Sequence, residues 1–171
     1  MIYLIVALAI AARFIPGAAN FSPVYAGLLF GGAYLKRRDS IWFPILLLAG
    51  SDLLVNSLLY QTSFQGMQIL NWVGFAGIVM VGWWLQNRVS ARNVLIASIA
   101  GPSVFFLISN FAVWIGGGMY PPTVGGLGAC YAAGIPFYGN SLISGVLFSG
   151  ILFGAYEYYL RRAHAHEVVT R

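Results

Sequence analysis

Eight of the nine basic residues stand in three short clusters that are separated by long apolar runs. The clusters are Lys36 with Arg37 and Arg38, Arg88 with Arg92, and a C-terminal group of Arg161, Arg162 and Arg171. Cytoplasmic loops of membrane proteins collect Lys and Arg, because moving these charges across a bilayer during insertion is unfavourable. Each intervening stretch is long enough to cross a membrane and return. The pattern predicts a multi-pass membrane protein, in which Arg13 is the one basic residue out of place.

Composition leads to the same prediction. The chain is 60% hydrophobic and only 8% charged, whereas about a quarter of the residues of a soluble domain are charged. The net charge of +5 would indicate nucleic acid or acidic partners in a soluble protein. Here it is explained by the cytoplasmic bias of basic residues and by attraction to anionic headgroups of the lipid bilayer. We therefore expect no nucleic-acid partner.

Apolar runs of roughly 17–25 residues can cross a bilayer as helices. We predict an all-α membrane protein, a single integral domain over residues 1–171, with a cytoplasmic tail at 161–171. Six spans place both termini on the side of the basic clusters, the cytoplasm, and the expected location is the bacterial inner membrane. The first two spans are short, and the loop between them, residues 13–23, should lie partly inside the membrane. The six transmembrane helices are predicted at about 1–13, 21–35, 41–60, 67–85, 93–115 and 137–160.

Three pairs of small residues recur at the four-residue spacing of one helix face. Small residues let helix backbones approach closely in lipid. Each pair could serve packing within the bundle or docking of a partner membrane protein, and the sequence leaves both open. The pairs are Ala7 and Ala11, Gly27 and Gly31, and Gly150 and Gly154.

Asp52 stands near the middle of the third predicted span, where an unpaired carboxylate costs several kcal/mol. Counting about 1.5 Å per residue from the cytoplasmic ends places Asp52 about 16 Å deep and Arg13 about 18 Å deep. We predict that the two side chains meet. The pair could be a structural link between helices, or it could contact a ligand.

The outer half of the bundle should hold a ligand site. Five side chains fall at similar depth there, beneath a glycine-rich outer loop predicted at 116–136. We expect them to line one outward-facing cavity for a small polar solute. Cys130, in this lid loop, is either a small buried residue or a contact for a soft metal, and one thiol alone is weak evidence for a metal. The five predicted ligand-binding residues are Asn20, Asn110, Trp114, Tyr131 and Asn140, with Arg13 and Asp52 as further candidates.

No catalytic motif occurs in the chain. A metalloprotease helix, a nucleophile elbow and a phosphate-binding loop are all absent from the sequence, so we expect no enzyme activity, no metal and no cofactor. An intramembrane enzyme would have to use Asp52, Cys130 and tyrosines, which no pattern organises into a nucleophile and a base.

Several stretches are specific enough to compare with known families: ARFIP at 12–16, NFSPV at 20–24, LFGGAY at 29–34, SD at 51–52, SNFAVW at 109–114, GLGACY at 126–131, and IPF at 135–137 followed by Asn140. Together they resemble an uncharacterised family of small six-helix membrane proteins that are named as transport proteins. That family is in turn similar to the S components of energy-coupling factor (ECF) transporters.

The resemblance implies a six-helix subunit that captures a vitamin or metal ion in an outward pocket, with both termini cytoplasmic. It also implies that an A-x-x-x-A face on the first helix, here Ala7 and Ala11, docks a transmembrane coupling subunit that works with ATPases. Some cobalamin-binding S components place a cysteine near cobalt, which makes Cys130 the corresponding candidate. The expected function is that of a substrate-binding membrane transport subunit. The alternative is a membrane scaffold or assembly protein that transports nothing.

Overall fold

The computed structural model describes residues 1–15, 20–55, 67–116 and 118–169, and all regular structure within these ranges is helical. This confirms the predicted all-α class. Residues 16–19 of the first loop, and 56–66 with the end of the predicted third span, lie outside the described residues. The helices are α1 (Ile2–Ala11), α2 (Val24–Tyr34), α3 (Arg37–Val55), α4 (Met67–Trp84), α5 (Ala91–Ile115) and α6 (Val124–Val169), and a 3₁₀ turn (Ala12–Phe14) follows α1.

Two helices are long and apolar enough to cross a membrane by length and composition: α5, and residues 124–163 of α6. Helices α1 and α2 contain 10 and 11 residues, or about 15 Å each at 1.5 Å per residue. Each is therefore shorter than a full span, as expected for two helices that flank an irregular loop.

The outer loop is shorter than predicted. Helix α6 begins at Val124 rather than at residue 137, so residues 124–136 do not form a loop. Thr123 starts the helix, because its Oγ1 accepts the N–H of Gly126 at 3.1 Å, a bond typical of an N-cap. The helix continues past Glu157 into the predicted tail, as far as Val169.

Helix α2 is the centre of the bundle. Every residue from Val24 to Ala33 is buried, and α2 contacts all five other helices. Its glycines allow close approach: a Cβ on Gly27 would stand 2.6 Å from the Cβ of Ala9, and one on Gly32 would stand 2.9 Å from the Cα of Gly82. The Gly27–Gly31 pair thus serves packing within the bundle.

The clusters of basic residues in the described ranges meet at one end of the bundle, called here the basic end: Lys36, Arg37, Arg38, Arg88, Arg92, Arg161 and Arg162. Polar contacts tie the neighbouring helix ends together there. Tyr34 at the end of α2 donates to Glu157 of α6 at 2.6 Å, and Arg37 lies over the ring of Trp83 at the end of α4. The N-terminus is at the same end, because Tyr3 donates to Asp39 at 2.5 Å.

Candidate functional site

Arg13 and Asp52 form an ion pair with 2.6 Å between Nη2 and Oδ1, which confirms the predicted contact. The other carboxylate oxygen accepts from Gln68 Nε2 at 2.5 Å and from the Trp72 indole at 2.9 Å. Arg13 also donates to Ser51 Oγ at 3.0 Å. The cluster joins the turn after α1 to α3 and α4. Because protein donors engage both carboxylate oxygens, this geometry favours the structural interpretation of the pair.

A separate cavity of about 150 Å³ lies between α5, α6 and Asn20 of the segment before α2, in the half of the bundle away from the basic end. Its lining combines polar groups with aromatic rings, as small-molecule sites do. The polar members are Asn20, Ser109, Asn110, Tyr138 and Ser141, and the others are Phe105, Phe106, Val113, Gly134 and Phe137.

Asn110 is the polar group best placed to bind a ligand in this cavity. Its Nδ2 donates to the carbonyl oxygen of Phe106, one turn earlier, at 2.9 Å. No described residue donates a hydrogen bond to its Oδ1. Gly134 of α6 faces that oxygen so closely that a Cβ there would stand 2.5 Å from Oδ1. The amide is thus held by its own helix, and its Oδ1 can accept a hydrogen bond from a ligand.

The other walls are also held by contacts within the protein. The rings of Phe106 and Tyr138 stack with centroids 4.5 Å apart, and the Tyr138 hydroxyl lies 2.8 Å from Ser103 Oγ. The Ser141 hydroxyl lies 3.0 Å from that of Tyr25. These contacts fix the shape of the cavity before any ligand enters.

Asn20 reaches the cavity from an unusual backbone conformation. Its φ is 60°, in the left-handed region that asparagine tolerates better than most residues. Its carbonyl oxygen accepts from Ser144 of α6 at 3.4 Å. The segment before α2 is therefore attached to α6 at this point.

The cavity brings together two of the five predicted ligand residues, Asn20 and Asn110. The other three are not among its lining residues. The Trp114 indole donates to the carbonyl oxygen of Pro121 at 3.1 Å, and the Tyr131 hydroxyl donates to that of Leu107 at 2.7 Å. Asn140 stands on α6 next to Ser141 but does not line the cavity.

Cys130 is placed in helix α6 and not in a lid. Its side chain is buried, and its thiol lies 3.3 Å from the carbonyl oxygen of Asn110. This position is that of a small packing residue between α5 and α6, and it favours the first of the two interpretations given above.

Sequence reasoning missed most of the cavity wall. The sequence does contain a pattern that indicates this wall. Phe106, Asn110 and Val113 are spaced so that they share one face of a helix, and so are Gly134 and Tyr138. The second pair was hidden by placing Gly134 in a loop, where helical spacing has no meaning.

Comparison with known proteins identifies a family but no activity. The model of a family described as a family of unknown function (DUF6580) matches residues 1–167, so the chain belongs to that family. No curated protein and no solved structure matches the chain. The family description names neither transport nor ECF components.

Proposed function

We propose that the chain is a multi-pass membrane protein that binds a small polar solute in the cavity beside Asn110. The observation that carries the solute site is Asn110, a half-buried amide in the lining of a cavity with aromatic walls, whose Oδ1 receives no hydrogen bond from any described residue. Small-molecule sites combine apolar and aromatic walls with a few polar groups that orient the ligand, and this amide suits that role.

The surface supports placement in a membrane. Large apolar side chains are exposed on several helices, and soluble monomers rarely expose apolar patches beyond a few hundred Å². Lipid accommodates such a surface. The positive-inside rule then puts the basic end in the cytoplasm, and a bacterial inner membrane is the proposed location. The exposed apolar side chains include those of Leu4 and Leu8 on α1, Leu46 and Leu53 on α3, Val73 and Met80 on α4, Ile99 and Leu107 on α5, and Ile143 and Ile151 on α6.

The size of the cavity restricts the solute. Its volume of about 150 Å³ equals that of an engineered apolar cavity that takes up benzene, and is well below the roughly 300–1,000 Å³ of drug-sized sites. A compact solute of about six non-hydrogen atoms fits this space. The solute we propose donates a hydrogen bond to Asn110 and places a flat part against Phe106 and Tyr138.

In transport, the role we propose is that of a solute-binding subunit similar to an ECF S component, without enzyme activity of its own. Ala11 is exposed on α1, and Ala7 is partly exposed. The face that these two small residues form is available to a transmembrane coupling subunit that works with ATPases.

The test is whether a bound solute depends on the space in front of Asn110. Native mass spectrometry of the detergent-purified protein should show a retained small molecule, which Gly134→Ala should remove. The added methyl would stand 2.5 Å from Asn110 Oδ1 and 2.9 Å from Phe106 Cε2, so it occupies the space in front of the amide. Gly139→Ala is the matched control on the same helix, because its Cβ would meet no atom within 4 Å.

Retention by Gly134→Ala at the wild-type level would contradict the solute site. The solute site would also be contradicted if the purified wild type retains no small molecule and its thermal stability does not rise with any of a panel of polar solutes of two to six carbon atoms.

The second candidate function is a membrane scaffold. The saturated hydrogen bonding of Asp52 supports it, as do Trp114 and Tyr131, which bond to main-chain carbonyl groups. In that case the same polar groups only hold the bundle together, and Gly134→Ala alters stability without any effect on a bound solute.

A further inference from the structure

Helices α5 and α6 separate toward the basic end and leave a groove of about 480 Å³ between them. They touch at Gly145, where a Cβ would stand 2.9 Å from Pro102 Cγ and 3.0 Å from the carbonyl oxygen of Ser98. Nearer the basic end, a Cβ on Gly150 or Gly154 would meet no atom within 4 Å. The groove therefore begins where close contact ends, and its α6 side lacks side chains at two successive turns.

The groove has an apolar floor and open sides. Val94 of α5 and Phe153 of α6 are buried beneath it, and Phe153 is only 3% exposed. Leu95 and Tyr158 at its edges are 50% and 57% exposed. A surface of this kind fits a hydrocarbon chain that lies along the helices.

One basic side chain, that of Arg161, lines the mouth of the groove. On the α5 side the mouth is lined by residues 89–91, which Arg88 and Arg92 flank in the sequence without lining the groove themselves. Arg161 forms no ion pair with any residue in the described part of the chain. The start of α5 adds the partial positive charge of a helix N-terminus, which attracts anions.

One acidic residue also lines the groove. Glu157 would repel an anion, but its carboxylate accepts a hydrogen bond from Tyr34 of α2 at 2.6 Å. Its charge is therefore partly engaged by a protein donor, whereas Arg161 has no acidic partner among the described residues.

The length of the groove separates a lipid from a partner helix. The apolar part of its α6 side, from Val146 to Gly154, spans about 12 Å, and Arg161 lies about 10 Å further along the helix. The hydrocarbon core of a bilayer is about 30 Å thick, so the apolar part is no longer than one leaflet. A transmembrane partner would need contact along the whole thickness, whereas an acyl chain with its headgroup needs only this half.

We propose that this groove binds one anionic phospholipid of the cytoplasmic leaflet. One acyl chain lies over Gly150 and Gly154, and the phosphate lies between Arg161 and the start of α5. The inference rests on the membrane placement in the proposed function, and it does not depend on the solute cavity.

Two lipids with identical acyl chains, phosphatidylglycerol and phosphatidylcholine, test the proposal. Each is added to the purified protein in detergent, and bound lipid is counted by native mass spectrometry. We expect the wild type to prefer phosphatidylglycerol, and Arg161→Gln to lower that preference about fivefold, since one basic residue near anionic lipid is worth about 1 kcal/mol. Arg38→Gln, which removes an exposed arginine of the basic end outside the groove, should leave the preference unchanged.

A second pair of variants tests the acyl-chain part. Gly150→Leu fills the groove and should weaken binding of both lipids, while Gly139→Leu adds the same side chain outside the groove and should not. Gly150→Leu tests whether lipid binds in the groove without any change of charge, so it remains informative if Arg161→Gln proves unstable.

Three outcomes would overturn the proposal: equal binding of the two lipids by the wild type, identical effects of Arg161→Gln and Arg38→Gln, or a Gly150→Leu variant that loses a stoichiometric protein partner while lipid binding is unaffected. A solute retained beside Asn110 without any lipid preference would reject this inference alone. A lipid preference without a solute would reject only the solute site.

Discussion

Asp52 is a buried carboxylate whose two oxygens both have protein partners. Its side chain is 5% exposed, and it receives one charged donor from the turn after α1 and two neutral donors from α4. The partner Arg13 followed from the sequence, because helical rise places both charges at one depth. Gln68 and Trp72 did not, since their four-residue spacing defines a face of α4 without indicating that the face turns toward α3.

Removal of Arg13 and removal of Asp52 should lower the stability of the protein by different amounts. Arg13 is 27% exposed and can recruit water, whereas Asp52 is nearly inaccessible. Both single variants strand a charge, at a cost of about 3–5 kcal/mol, and we expect Arg13→Gln to cost more than Asp52→Asn. Unfolding in detergent micelles measures the difference. The double variant should be more stable than Arg13→Gln, and an additive loss would contradict the coupling.

Trp72→Phe isolates one of the neutral donors. It keeps an aromatic ring but removes the indole N–H, whose hydrogen bond to a charged group is worth about 1.5–3 kcal/mol. Trp84→Phe on the same helix is the control, because the Trp84 indole bonds to no described residue. Equal stability of the two variants in the same unfolding assay would show that Asp52 does not need this donor.

Helix α6 is the element that the sequence described least well. Glycines at 125, 126, 128 and 134 and a proline at 136 lower helix propensity, so a loop was predicted there. Packing overrides propensity: Cys130 and Tyr131 each bond to a carbonyl oxygen of α5. The error also hid the relation of Gly134 to Tyr138 in the cavity wall, because the two residues share a face only on a helix.

Helix α2 carries a testable contact between backbones. A Cβ on Gly32 would collide with main-chain atoms of Val79 and Gly82, which cannot rotate away as side chains can. Gly32→Ala should therefore destabilise the protein by about 1–3 kcal/mol through overpacking. Gly50→Ala in α3 has open space for its Cβ and should gain about 0.5–1 kcal/mol. Thermal unfolding of both variants checks the opposite signs.

At the scale of the whole molecule, the arrangement of charge predicts orientation in a membrane. The single cysteine makes this measurable, because Cys130→Ala provides a background without thiols. In that background Met119→Cys, at a position 74% exposed in the loop before α6, should react with an impermeant maleimide in intact cells. Arg38→Cys at the basic end should react only after permeabilisation. The reverse pattern would invert the proposed topology.

The Arg13–Asp52 ion pair also has a consequence for biosynthesis. The partners are 39 positions apart, from 13 to 52, so at about 5–20 residues per second the carboxylate is translated about 2–8 s after the guanidinium. In the membrane placement proposed above, an unpaired Arg13 near the bilayer centre would cost about 2.5–3.5 kcal/mol. In that placement we expect the turn after α1 to reach its final depth only once α3 has been made, so that the first helix to be translated is not the first to reach its final position.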